Sequence, residues 1–484
     1  MPLLTKSKYL YGLQCPKLLW VAINDKDKLP EPDAATQALF DSGHEVGNLA
    51  KKLFPGGVDI PTSTFMGNIK KSKARLRLRK PLFEAGFMAK DVFARADILN
   101  PVDGAWDIIE VKSSTKVKDI NLHDLSFQKY CYMRAGLKIG RCFLMYINRE
   151  YVRNGPIDPK EFFIIEDVTD KVLELFKDVS ERVEGMLKIA SRKEHLDVDI
   201  TPKCSDPYDC ALKSGCWSHL SSDNVFNLYR GGEKCFSLYN SGVKEIKDIP
   251  DSFKLNDKQE IQRKCAKSGE VYLEKDKIKE FLSKLTKPLY YLDFETFSTA
   301  IPLLDGLKPY EQVPFQFSLH VFQFSLNEEG KHHSFLGKEK DSRLEFLISL
   351  KKVLGSSGSI VVYNASFEKN VLLKLAVVFP EYKEWVDSVI LRLVDLLEVF
   401  RSFYYYNCEQ EGSASIKKVL PAVTGNSYSE LNINNGKDAS LLFFEIMFKD
   451  GKKKDKIRKD LEEYCGLDTL GMKLILDELK EIVL

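Results

Sequence analysis

The chain has 484 residues, more than one hydrophobic core usually supports, so two or three domains are expected. Hydrophobic residues make up 44% of it and charged residues 29%, the balance of an ordinary soluble protein. The 72 basic and 70 acidic side chains leave a formal charge of +2, which excludes net charge as a signal of nucleic-acid binding. Any attraction for phosphate must therefore be local.

The sequence favours a cytoplasmic protein. Its first twenty residues lack a basic segment followed by a long apolar stretch and a small-residue cleavage site, and no run approaches the 18 apolar residues of a membrane span. We therefore expect no membrane partner. The ten cysteines are expected to be free, metal-bound or catalytic, because disulfides are rare in the cytosol.

The N-terminal half predicts strands flanked by helices. Helical spacing of apolar residues covers residues 5–55, and strand-like stretches follow at 91–99, 105–114 and 140–148. An amphipathic helix at 122–136 separates the last two strands, and a further helix at 169–190 leads into a turn-rich piece with three cysteines. We assign residues 1–220 to a first domain.

The rest of the chain predicts a connector and a second α/β domain. Residues 221–283 read as short helices punctuated by Gly and Pro, and we assign them to a helical connector. Strands are expected near 289–296, 314–325 and 359–364, with helices around 366–377 and 456–482. Residues 284–484 therefore form the second domain of an α/β protein.

Acidic and basic side chains follow two strands of the first domain. Asp97 ends one strand, and Glu110 and Lys112 lie two residues apart on one face of the next, which gives the pattern D-x12-E-x-K. Gln128 and Tyr132 form Q-x3-Y on the following helix. The bland alternative for E-x-K alone is an ion pair on a surface strand.

Together with His44 upstream, this pattern resembles the RecB-type PD-(D/E)xK nucleases, including CRISPR-associated members, over residues 5–220. The resemblance implies a restriction-endonuclease-like fold in which His44, Asp97 and Glu110 bind Mg²⁺ or Mn²⁺. Lys112 would assist water activation or steady the charge on phosphate. Gln128 and Tyr132 would contact nucleic acid or position the lysine. For His44, a partly buried structural histidine is the alternative.

Three cysteines are evenly spaced after the first domain's last long helix. Cys204, Cys210 and Cys216 form C-x5-C-x5-C, and Cys15 lies far upstream. This arrangement resembles the four-cysteine motif of RecB-type nucleases. The resemblance implies a [4Fe-4S] cluster bound by these four residues. Four thiolates also suit structural zinc, and free buried cysteines are the third alternative.

Two carboxylates share one face of the first strand of the second domain. In "YYLDFETF", Asp293 and Glu295 point one way while the apolar residues between them point the other. Their repulsion is costly unless a metal ion or a basic side chain neutralises them. On the last helix, Tyr464 and Asp468 lie at i and i+4 and share one face.

With Glu368 in "NASFE", these residues resemble the DEDD 3′-to-5′ exonucleases of the RNase H-like superfamily, in the subclass ending in Y-x3-D. The resemblance implies a mixed sheet flanked by helices and two metal ions held by Asp293, Glu295, Glu368 and Asp468. Tyr464 would orient the attacking water. The family usually has Asp where this chain has Glu368. The alternative is that these acids cap helices and form salt bridges in a domain that has lost activity.

The sequence thus predicts a metal-dependent nuclease that acts on nucleic acid, DNA rather than RNA, with single strands or DNA ends as substrates. Such a nuclease would act in DNA processing, DNA repair or defence against foreign DNA. Two alternatives stay open at this point: a nucleic-acid-binding protein with one active nuclease domain, and an iron-sulfur redox protein.

Overall fold

Two sheets, one in each half of the sequence, organise the structure. The computed structural model describes residues 2–323, 330–448 and 453–484. One unit contains the residues up to 219 together with 299–311, and the other contains 220–298 and 312–484. The mixed α/β class expected from the sequence is confirmed. Residues 221–283, which the sequence assigns to a connector, belong to the second unit.

The first unit is built from seven strands and nine helices within its described residues. They are β1 (Leu4–Thr5), α1 (Lys6–Gln14), α2 (Pro16–Asn24), α3 (Ala34–Lys51), β2 (Val58–Asp59), α4 (Phe65–Arg75), β3 (Leu82–Ala89), β4 (Val92–Val102), β5 (Ala105–Lys112), α5 (Asp119–Arg134), β6 (Ile139–Ile147), α6 (Pro159–Phe162), β7 (Phe163–Asp167), α7 (Thr169–Phe176), α8 (Val179–Ala190) and α9 (Lys213–Trp217).

The sheet of the first unit has the order β2-β3-β4-β5-β6-β7, and β1 pairs with β4. Strands β4 and β5 are antiparallel, whereas β5 and β6 are parallel and are joined through α5. Small buried side chains on β3 and β4, Ala85, Ala94 and Ala96, allow α5 to lie close to the sheet. Leu125 and Phe127 of α5 fill the core against them.

The second unit contains the remaining elements. They are α10 (Glu233–Asn240), α11 (Asp257–Ser268), β8 (Tyr272–Leu273), α12 (Lys275–Ser283), β9 (Leu289–Phe297), β10 (Val313–Phe322), β11 (Lys331–Leu336), α13 (Arg343–Val353), β12 (Ser359–Val362), α14 (Ala365–Val378), α15 (Lys383–Ile390), β13 (Leu393–Asp395), α16 (Leu397–Arg401), β14 (Tyr405–Tyr406), α17 (Ile416–Thr424), α18 (Gly436–Phe448) and α19 (Lys454–Val483).

The main sheet of the second unit has the order β11-β10-β9-β12-β13, with β9 at its centre. β9 is antiparallel to β10 and parallel to β12. Leu292 and Phe294 pack with Phe346 in the core on one face. On the other face α19 crosses the sheet, and Thr469 forms a hydrogen bond of 2.7 Å with Ser318 of β10. Asp293 and Glu295 point toward this second face, where Cys465 of α19 lies 3.5 Å from Asp293.

The elements that the sequence predicts are observed, but several others do not follow from it, including the helices α4, α13 and α18 and the short edge strands. The expected strand 314–325 is observed as β10, which ends at Phe322; residues 324 and 325 lie outside the described part of the chain. Strand β3 was not expected, because Glu84 interrupts its apolar pattern. No described helix is long and apolar enough to cross a bilayer.

Candidate functional site

The first unit brings Asp97 and Glu110 together on neighbouring strands. The expectation that Asp97 ends its strand is wrong, because β4 continues to Val102. Asp97 lies on β4 and Glu110 on the antiparallel strand β5. The Oδ2 atom of Asp97 accepts a hydrogen bond of 2.7 Å from the backbone N–H of Val111. Glu110 is almost fully buried. The D-x12-E spacing thus corresponds to two neighbouring carboxylates, of which Glu110 is buried and Asp97 half-buried.

A network of hydrogen bonds surrounds Glu110. Lys112 Nζ lies 2.7 Å from Glu110 Oε1 and 2.9 Å from Asp124 Oδ2. Gln128 Nε2 donates to Glu110 Oε2 at 2.7 Å and to Asp124 Oδ1 at 2.8 Å. Lys6, at the start of α1, contacts Glu110 Oε1 at 2.6 Å. Gln128 therefore positions the acid and not the lysine directly.

The charges in this network shift one another's protonation. Burial and the charge of Glu110 raise the pKa of Asp97 to about 7. Burial would also raise the pKa of Glu110, but the ammonium groups of Lys112 and Lys6 hold it well below its ordinary value. Asp124 and Glu110 keep the pKa of Lys6 above its ordinary value despite burial. Both lysines and Glu110 are therefore charged at neutral pH.

Tyr132 and His44 lie in other surroundings than the resemblance implies. The Tyr132 hydroxyl is fully buried, accepts a hydrogen bond from Ala96 N at 2.6 Å and donates to Ala85 O at 2.9 Å. It links β3 and β4 beside Asp97 and is not accessible to nucleic acid. His44 is exposed on α3. It belongs to no group of three metal-ligating side chains among the residues that the structure describes.

We expect Tyr132→Phe to destabilise the first unit by about 2 to 3 kcal/mol, because it leaves a buried N–H and a buried carbonyl without their hydroxyl partner. Asp97 and Glu110 are unchanged. Urea unfolding measures the loss. The control is Tyr146→Phe, which removes a half-buried hydrogen bond to Glu166 of 3.2 Å and should cost under about 1 kcal/mol. Equal losses in the two variants would contradict the linking role of Tyr132.

The end of α1 contacts the loop that carries the cysteine motif. Gln14 Nε2 donates to the backbone oxygens of Lys203 at 2.9 Å and of Tyr208 at 2.6 Å. This places the segment next to Cys15 beside the segment that begins at Cys204. Burial and the neighbouring thiols Cys204 and Cys216 raise the pKa of Cys15.

The four cysteines are not gathered as tightly as around one zinc ion. All four are free of disulfides. No three of them bring their sulfur atoms within 4.8 Å of one another, whereas thiolates around tetrahedral zinc lie about 3.8 Å apart. In a [4Fe-4S] cluster each thiolate binds a different iron atom, so the sulfurs are more widely spaced.

The second unit brings three carboxylates together from a strand and a distant helix. Asp293, Glu295 and Asp468 each offer an oxygen atom, and these atoms all lie within 4.8 Å of one another. It is the one such group among the residues that the structure describes. Alternation along β9 places the first two acids on one face, and α19 supplies the third. The sequence predicts all three.

Glu368 lies beside this group with an unsatisfied oxygen. It is almost fully buried on α14, and its Oε2 atom has no hydrogen-bond partner among the described residues. Burial and the charge of Asp293 raise its pKa. The helix begins after Asn364, whose φ of 84° is left-handed and whose N–H donates to Asp395 at 2.9 Å. Asp395 therefore holds the start of this helix.

Two tyrosines and a lysine line the same group. Tyr428 donates to Asp468 Oδ1 at 2.6 Å. Tyr464 is nearly buried, and its hydroxyl accepts a hydrogen bond of 3.0 Å from Lys417 Nζ. Burial lowers the pKa of Lys417, although Asp468 and Glu295 oppose the shift. Tyr464 and Asp468 share one helix face, as the i, i+4 spacing predicts.

Burial raises the pKa values of the whole acidic group. With the charge of Asp468 it raises the pKa of Asp293 far above its ordinary value and that of Glu295 to about 8. Burial also raises the pKa of Asp468 to about 6, although the hydrogen bond from Tyr428 opposes this. A nearby cation would therefore favour the deprotonated forms of these acids.

We expect the metal-free protein to lose stability as pH rises from about 5 to 8. The folded state retains protons on Glu295 and Asp468 that the unfolded chain has released, so a higher pH favours unfolding. One pKa unit corresponds to about 1.4 kcal/mol, so the loss amounts to several kcal/mol. Urea unfolding in EDTA at both pH values measures it. Asp293→Asn should reduce the loss, and equal stability at both pH values would contradict the account.

Four residues of the two sites were not predicted. Lys6 and Asp124 join the first site, and Lys417 and Tyr428 join the second. Asp124 stands four residues before Gln128, which places both on one helix face and is a usable signal. Lys6 and Tyr428 reach their sites through tertiary folding, and no local pattern marks them.

The chain is similar to proteins that carry no stated function. Residues 290–415 match the family model described as a domain of unknown function, DUF2779. This range includes Asp293, Glu295 and Glu368 and ends before Tyr464 and Asp468. The uncharacterized protein MG366 of Mycoplasma genitalium is 30% identical over 223 residues, which cover 41% of this chain and 32% of that protein. Its Mycoplasma pneumoniae homolog is 29% identical over 221 residues, which cover 41% and 33%. The chain spans about a third of the length of these relatives.

Proposed function

We propose that the protein is a metal-dependent nuclease with two hydrolytic sites, acting on DNA in preference to RNA. The convergence of Asp293, Glu295 and Asp468 carries the proposal. Carboxylate oxygens are the ligands that Mg²⁺ and Mn²⁺ prefer, and a bound cation would stabilise the charged forms of three acids this close together. Divalent ions bound there would activate water and stabilise the departing oxygen of a phosphodiester.

The unsatisfied oxygen of Glu368 supports a role for this residue as a fourth ligand of the metal ions. A buried carboxylate oxygen without a partner is costly, and coordination of a cation removes that cost. Glu368 takes the position that the DEDD resemblance assigns to an acid. Its side chain is one methylene longer than the usual Asp and starts from a helix that Asp395 holds in place. These features favour an active site over a domain that has lost activity.

The polar side chains around the acids suit hydrolysis at a 3′ end. Burial and the neighbouring acids raise the pKa of Tyr464, so its hydroxyl stays protonated and can orient a water molecule. Lys417 donates to that hydroxyl and places a positive group where the charge of a phosphate develops. Tyr428 donates to one oxygen of Asp468, and Tyr464 also hydrogen-bonds with this carboxylate, so the two tyrosines position it for a cation.

In the first unit we assign the hydrolytic site to Asp97 and Glu110, with Lys112 beside them. The two carboxylates lie on paired strands, Glu110 buried and Asp97 half-buried, and Lys112 lies within hydrogen-bond distance of Glu110. An ion held there would supply the same activation of water. We expect Lys112 to neutralise charge on the phosphate, since its pKa stays above the ordinary value. Tyr132 keeps the backbone beside Asp97 in place.

For Cys15, Cys204, Cys210 and Cys216 we favour an iron-sulfur cluster over zinc. The resemblance to RecB-type nucleases supports the cluster, and the contacts of Gln14 hold Cys15 beside the loop that carries the other three. A cluster would fasten the start of the chain to the end of the first unit. Iron and acid-labile sulfide analysis of protein purified without oxygen distinguishes the two, since zinc binding gives neither.

Degradation of end-labelled DNA and RNA single strands with Mg²⁺ or Mn²⁺, and with EDTA as a blank, tests the nuclease proposal. A second candidate, a protein with one active nuclease domain, is favoured by the contacts of Lys6 and Lys112 with Glu110, which occupy one of its oxygens. If only the second unit cuts, Glu110→Gln leaves all cutting unchanged. No metal-dependent cutting of DNA or RNA would overturn both candidates.

A further inference from the structure

Lys6 is a second ammonium group in the first hydrolytic site, supplied by a different element from Lys112. Its Nζ lies 2.6 Å from Glu110 Oε1, the same oxygen that Lys112 contacts at 2.7 Å. It also lies 3.6 Å from Asp124 Oδ2. Thr5 caps the helix that begins at Lys6 and so fixes where this side chain enters the site.

Lys6 contacts the Glu110 oxygen that a metal ion shared by Asp97 and Glu110 would also need. An ion shared by Asp97 and Glu110 must approach the oxygens of both acids, and Lys6 interacts electrostatically with both. Lys112 is held more firmly, because it forms short contacts with both Glu110 and Asp124. If Lys6 kept its contact with Glu110 Oε1, its ammonium group would strongly repel a divalent cation bound to the same oxygen.

We propose that Lys6 is an internal cation that occupies the metal position of the first site and leaves it when Mg²⁺ or Mn²⁺ binds. This rests on the proposed assignment of Asp97 and Glu110 as metal ligands. In the metal-free protein Lys6 keeps the buried acids neutralised and in place. Its departure costs binding energy, so Lys6 lowers the metal affinity of this site and makes occupancy depend on metal concentration.

The first test measures Mn²⁺ binding to full-length protein carrying Asp293→Asn, which removes the second unit's site. Asp97→Asn in that background identifies the ion of the first site. Adding Lys6→Met, which retains the apolar stem, should raise the Mn²⁺ affinity of that site at least about tenfold. The matched control is Lys8→Met, because Lys8 lies on the same helix and contacts only the backbone oxygen of Leu3 in the described structure. It should leave the affinity unchanged.

The second test uses the unaltered chain and does not depend on how the variant folds. Lysine acetylation followed by mass spectrometry should show Lys6 protected in EDTA and more reactive with saturating Mg²⁺, whereas Lys8 keeps one reactivity. Equal or weaker Mn²⁺ affinity in Lys6→Met, or Lys6 equally protected with and without Mg²⁺, would overturn the inference. Failure of the nuclease proposal is seen separately, as absent DNA cutting by the Asp293→Asn protein.

Discussion

Asp293→Asn is expected to lower the rate of shortening from the 3′ end at least about a thousandfold. Asp293 belongs to the one group of three clustered metal-ligating side chains in the described parts of the chain, and its neighbours Glu295 and Asp468 cannot hold a dication as well without it. Ions at such sites supply several kcal/mol of transition-state stabilisation, and each 1.4 kcal/mol is a factor of about ten in rate.

A 5′-labelled single strand of DNA reports this rate as loss of length from the other end. The matched control is Asp387→Asn, since Asp387 is exposed on α15 and pairs with Lys383 at 2.6 Å. It should cut at the wild-type rate. The amide also removes a charge from a buried acidic group, so the metal-free variant should unfold at a higher urea concentration at pH 8. If the Asp293→Asn protein shortened DNA at the wild-type rate, the assignment of the exonuclease site to this acidic group would be contradicted.

Glu110→Gln should abolish the cutting that the Asp293→Asn protein retains, again by about a thousandfold or more. The amide keeps the size of the side chain but removes the charge that Lys6 and Lys112 neutralise. The new amide NH₂ group is also a hydrogen-bond donor facing the donor groups of Lys6 and Lys112. The site therefore loses the charge that would bind a cation and the hydrogen bonds that hold the two lysines in place.

Linear and circular single strands, assayed side by side, show whether this residual cutting needs an end. The control Glu181→Gln changes an exposed acid in the first turn of α8 and should have no effect. Circular dichroism checks that each variant is folded. If the Asp293→Asn protein still cuts DNA after Glu110→Gln is added, the remaining activity does not come from the proposed first site.

Local periodicity was sufficient to predict the residues that form the second acidic group. Alternation along β9 predicted that Asp293 and Glu295 share a face, and the i, i+4 spacing predicted the same for Tyr464 and Asp468. Both follow from backbone geometry alone. That the acids of β9 lie close in space to Tyr464 and Asp468 depends on how the intervening chain folds. Only the family resemblance implied this proximity. The mixed α/β class followed from strands and helices long enough to carry a clear period.

The sequence could not supply the partners that arrive through tertiary folding. Lys6 and Tyr428 stand in stretches without a distinguishing pattern, and each reaches an acid distant in sequence. The expected role of Tyr132 changed because burial decides whether a hydroxyl meets a ligand or the backbone, and burial depends on how closely α5 approaches the sheet. Edge strands such as β13, three residues long, are too short to carry a period.

The proposed function requires that carboxylates from separate segments bind divalent cations. Crystals of the full chain soaked in Mn²⁺, with anomalous scattering recorded at the manganese edge, show whether they do. We expect Mn²⁺ coordinated by Asp293, Glu295 and Asp468, with the free oxygen of Glu368 turned toward an ion. Manganese-soaked crystals in which these oxygens bind no ion, or bind only the side chain of Lys417, would contradict it.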